Sequence, residues 1–69
     1  SQRIEEQKAY IASQMGQPLY DQVVALLTAH KRNNADSAQI DESLRPIAGK
    51  NRKLRELCFS LEMLIFKAD

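Results

Sequence analysis

Apolar residues recur at intervals of three and four along four stretches of this chain, with polar residues filling the positions between them. From Gln2 to Met15, the positions Ile4, Ile11 and Met15, filled out by Ala12 and the ring of Tyr10, fall on one helical face. Glu5 and Glu6 stand in the first turn, where negative charge suits the helix dipole, and Gly16 is suited to the left-handed conformation that closes a helix. Gln17-Pro18 makes a short link, and Pro18 fits the first turn of a second helix. That helix carries a broad apolar face of Leu19, Tyr20, Val23, Val24, Leu26 and Leu27, wide enough to make it the central one. His30, Lys31 and Arg32 place cations at its C-terminus, and Asn33 and Asn34 tolerate turn geometry.

Asp36 or Ser37 caps the third helix, and Asp36 with Gln39 has the spacing of a capping box. Its apolar residues Ile40, Leu44, Ile47 and Ala48 keep helical period, but Pro46 removes a backbone donor, so a kink or a tightened last turn is expected before the stop at Gly49. The last stretch holds its period longest, through Leu54, Leu57, Cys58, Leu61, Leu64 and Ile65, and predicts the longest helix. The expectation is an all-α fold, a small four-helix bundle with helices at about 2–15, 18–31, 37–48 and 51–67, antiparallel or crossing obliquely.

Length narrows the picture: 69 residues make one helical domain, read here as a fragment of a longer protein because Ser1 is not an initiator methionine. An apolar share of 43% suits a globular fold, and a net charge of +1 provides no overall field to attract a polyanion. No run of roughly 18 apolar residues is present to span a bilayer, and the polar start resembles no signal peptide, so a soluble, intracellular, cytoplasmic protein is expected.

The residues that carry chemistry are few. His30 is the sole histidine and has no Cys, Asp or Glu four residues away to share a metal, so its simplest role is a cation at a helix end. The sole cysteine, Cys58, lies on an apolar stripe and reads as a buried structural thiol. Glu5 and Glu6 are sequence neighbours and do not share a helical face, which suits them poorly to paired acid and base work. Without a phosphate loop, nucleophile elbow or calcium loop, neither enzymatic activity nor a cofactor or metal is expected. Arg45, Lys50, Arg52, Lys53 and Arg55 gather round the turn after the third helix, partly neutralised by Asp36, Asp41, Glu42, Glu56 and Glu62. Phe59, Met63 and Phe66 fall beside or off the apolar stripe of the last helix, a surplus that calls for a partner.

The string Tyr10-Ile11-Ala12-Ser13-Gln14-Met15-Gly16, followed by Leu19-Tyr20, resembles the "LExxLG" helix near the C-terminus of long NIMA-related (NEK) protein kinases. Ile47-Ala48-Gly49 resembles that family's later "ILG", and Leu64-Ile65-Phe66-Lys67-Ala68-Asp69 its "LVxAD"-like tail. This likeness implies a non-catalytic module at the end of a kinase, binding a protein partner in ciliary or centrosomal settings. Leu19-Tyr20-Asp21, Leu27, Lys31 and the helix from Leu54 to Leu64 are similar to harmonin-homology domains, which implies a groove for short helical peptides. The expected function is a protein-protein interaction module that binds a partner helix or oligomerises through Phe59, Met63 and Phe66, with Arg52, Lys53 and Arg55 orienting an acidic partner. The alternative is a nucleic-acid-binding helical domain using the basic turn 45–55.

Overall fold

The computed structural model describes residues 2–67, and these form four helices: α1 (Gln2–Met15), α2 (Gln17–Arg32), α3 (Ser37–Ala48) and α4 (Arg52–Phe66). Among the described residues there is no strand. The tail residues Ala68 and Asp69, part of the kinase-like ending, lie outside them.

Each connection is explained by its own residues. Gly16 serves two helices at once: its N–H bonds the Ala12 carbonyl at 2.9 Å, and its carbonyl accepts from the Tyr20 N–H at 3.0 Å. Its φ of 92° is positive as expected, but ψ of 138° lies outside the left-handed helical well, in a region that only glycine enters without strain. Because Gly16 also acts as the N-cap, α2 starts at Gln17, one residue earlier than the proline implies. At the far end of α2, Asn34 takes φ of 55°, and the N–H groups of Ala35 and Asn34 close onto the carbonyls of His30 and Lys31. This is the Schellman closure, with asparagine in place of glycine.

The capping box of α3 is complete, since the Gln39 N–H donates to Asp36 Oδ1 at 2.9 Å and the Asp36 N–H donates to Gln39 Oε1 at 3.0 Å. The tightened last turn expected from Pro46 does not form. The helix stays α through Ala48, and the Gly49 N–H reaches the Arg45 carbonyl, four residues back, at 2.8 Å. Pro46 and Glu42, whose carbonyl loses its donor to the proline, are both exposed residues. Asn51 caps α4 by accepting from the Leu54 N–H at 3.0 Å. With Asn51 and Lys67 outside α4 and Gln17 and Arg32 inside α2, the longest helix is α2, at 16 residues against 15 for α4.

Helices α2 and α4 each pack against all the others, whereas α1 and α3 lie on opposite flanks and make no contact with one another. Both α2 and α4 are therefore central. The core joins Ile11, Val23, Leu27, Ile40, Leu44, Cys58 and Leu61, with Leu27, Leu61 and Val23 wholly enclosed. Two polar links fasten its edges. The Lys31 ammonium donates to the Ile65 carbonyl at 2.9 Å, placing a cation at the C-terminus of α4, and His30 Nε2 meets Ser43 Oγ at 2.8 Å. Ser43 donates its own hydroxyl hydrogen to the Gln39 carbonyl at 3.0 Å, so His30 is the donor to Ser43.

Candidate interaction surface

The residues singled out on α4 divide into two environments. Phe59 is 60% exposed and Met63 38% exposed, while Phe66 is half-buried and packs against the core. The expected trio is thus a pair. Its third apolar member comes from another helix: Tyr10, placed with the α1 core face from the sequence, is 61% exposed. The reason is angular. Tyr10 precedes the buried Ile11 by one residue, hence by about 100° round the helix, which turns its ring out of the core.

Tyr10, Phe59 and Met63 line a groove between α1 and α4 of about 510 Å³, floored by Ile11, Leu57 and Leu64. Glu6, Gln7 and Ser60 supply its polar margin. Phe59 also borders a second depression of about 710 Å³ between α3 and α4, where Arg45, Lys50 and Arg55 share the walls with Asp41 and Glu62. A third, shallower hollow joins it to Arg52, Arg55, Glu56 and Ser60. One aromatic ring therefore forms the ridge between three concavities.

The basic residues share their surroundings with acidic ones. Arg45 approaches Glu42 at 3.9 Å, an exposed pair of little energetic weight. Arg55 and Lys50 face the α3–α4 depression, Arg52 lies toward the hollow beside Glu56, and Lys53 borders none of the three. Acidic charge interrupts the set. Loss of hydration raises the Glu62 carboxyl above its ordinary pKa, the Asp41 charge raises it further, and Lys67 offsets part of that. Arg52, Lys53 and Arg55 are all exposed.

Cys58 is buried under this surface, and burial pushes its thiol pKa up, which keeps it in the unreactive protonated form. Tyr20 is half-buried against the core, with its phenol raised by loss of hydration and by the charges of Glu5 and Asp21. Among the described residues, no group of three or more His, Cys, Asp or Glu is gathered as a metal site, and no helix is long and apolar enough to cross a membrane. No protein-family model, curated protein or solved structure matches the chain.

Sequence reasoning missed Tyr10 as a surface residue and Asn51 as a cap. The signal for Asn51 was present in the run Lys50-Asn51-Arg52-Lys53, where only Asn51 has a short side chain able to accept from a backbone N–H. The signal for Tyr10 was present too, because it stands at least 100° round the helix from each of Ile4, Ile11 and Met15.

Proposed function

We propose that this chain is a non-catalytic protein-interaction module that takes an apolar partner surface against the outer side of α4. The observation that carries the reading is Phe59, a phenylalanine in the middle of a helix with 60% of its surface in solvent, flanked by Tyr10 and Met63. Large apolar side chains exposed together beside a groove are what a partner helix covers, and aromatic residues and methionine are enriched at such contacts. The likenesses to the NEK C-terminal segment and to harmonin-homology domains point to the same class, and the former adds a ciliary or centrosomal setting. Arg52 and Arg55, beside Phe59, supply charge at the rim, where it steers and orients a partner more than it holds one.

The nucleic-acid alternative is disfavoured. Phosphate binding draws on a continuous basic surface, whereas Asp41 and Glu62 occupy the same depression as Arg45, Lys50 and Arg55. The interaction reading is tested by capture from cell extract on the immobilised chain beside its Phe59→Asp variant, with bound proteins identified by mass spectrometry. The expected result is a set of partners held by the parent and lost by the variant, with the same helical circular dichroism for both. An unchanged set of partners on the variant would refute the reading.

A further inference from the structure

The order of charges along the outer side of α4 says more about the occupant than the apolar residues do. Arg55, Phe59 and Glu62 follow one another at steps of four and three, so they form one stripe of the helix, and all three line the α3–α4 depression. This depression has two ends of opposite sign. Glu62 and Asp41 are near enough for the charge of one to raise the pKa of the other, whereas Arg55 and Lys50 flank the α3–α4 turn. Phe59 stands between. Among the described residues, neither Arg55 nor Lys50 has a carboxylate at ion-pair distance, and neither Glu62 nor Asp41 has a cation there; Lys67 acts on Glu62 only from farther away.

A surface with a basic end, a central aromatic and an acidic end becomes complementary to itself when turned end for end. A two-fold axis across α4 performs that rotation, bringing the basic end of each copy onto the acidic end of the other. A polyanion would meet repulsion at one end, and a partner of uniform charge likewise. Building on the interaction reading above, we propose that the occupant of this face is a second copy of the chain, with α4 antiparallel to α4 of the partner. Phe59 stacks against Phe59 of the partner subunit near the axis, in the offset or edge-on arrangement that aromatic rings prefer. Arg55 faces Glu62 of the partner subunit, and the symmetry makes that contact twice. A stable interface removes about 800 Å² per partner, roughly a sixth of the 4906 Å² surface of this chain, so the dimer would also draw on the sides of α1 and α3 that border the two grooves.

Sedimentation equilibrium at low salt, over protein concentrations rising to the millimolar range, tests the proposal. The parent chain is expected to move from the 7.9 kDa monomer toward twice that mass. Arg55→Glu, at an exposed position that does not disturb folding, is expected to raise the dissociation constant about tenfold, because both symmetric attractions become repulsions. Glu62→Arg should do the same, and the double variant R55E/E62R should regain the parent affinity. A parent chain that stays at 7.9 kDa throughout would overturn the proposal, as would a dimer whose affinity ignores Arg55→Glu. If the double variant fails to fold, Arg55→Glu alone decides. A monomeric parent that still loses its captured partners on Phe59→Asp would overturn the second copy as occupant while leaving the interaction reading intact.

Discussion

Phe59 and Phe66 are seven residues apart on α4, so an ideal helix points them within about 20° of each other, yet one is 60% exposed and the other packs against the core. What separates them is the company each keeps. Near Phe66 the end of α2 is drawn in, with the Lys31 ammonium on the Ile65 carbonyl at 2.9 Å. Around Phe59 the flanking helices α1 and α3 do not meet, and a groove opens on either side of the ring. The same residue type on nearly the same bearing is thus structural at the end of the helix and available to a partner at its middle. A helix that completes a core need not spend its whole circumference on that core.

The comparison breaks most visibly on the inward side of α4. Leu61 is wholly buried, and Leu61→Ala is expected to cost about 2–5 kcal/mol in urea denaturation, through lost apolar transfer and the cavity left behind. For a domain of 69 residues, holding about 7 kcal/mol in all at about 0.1 kcal/mol per residue, that loss leaves little. Phe66→Asp comes next. Setting a carboxylate among the apolar neighbours of Phe66 should remove about 2 kcal/mol in the same assay, an effect an exposed phenylalanine would not show.

The smallest effect concerns Glu62, on the border between the two sides. Its folded-state carboxyl is raised by loss of hydration, then by Asp41, with Lys67 opposing. The folded chain therefore binds this proton more tightly than the unfolded chain does. The stability Glu62 forfeits is forfeited at neutral pH and is recovered as pH falls through the raised pKa. Glu62→Gln should accordingly raise the melting temperature slightly at pH 7 in dilute solution, and the difference should vanish below about pH 4, the ordinary carboxylate range. At high concentration the same variant should weaken self-association, because the partner of Arg55 is neutral. Stabilisation of the monomer with weakening of the dimer is a combination that a purely structural Glu62 would not produce.

How far the sequence discloses this arrangement depends on the range of the interactions involved. The capping box of Asp36 and Gln39 and the stops at Gly16 and Gly49 are set within a few residues, and they stand where local chemistry predicts. The inward stripe of Cys58 and Leu61 follows equally from helical period. The difference between Phe59 and Phe66 does not, because it depends on where α1, α2 and α3 lie. The charged turn was legible as composition but not as arrangement: α3 brings Asp41 beside Glu62, and only that placement divides a basic run into a groove with two signs. Pro46 does not tighten the last turn of α3, and Glu42, whose carbonyl it orphans, is an exposed residue.

The central claim is that α4 builds the fold with one side and offers the other to a protein partner, and Phe59→Asp tests it most directly. Its unfolding free energy, by urea denaturation monitored at the helical circular dichroism band, should stay within about 0.5 kcal/mol of the parent, as exposed substitutions do, while the complexes of the parent disappear. A loss of stability comparable to that of Leu61→Ala, or complexes that survive the charge intact, would contradict it.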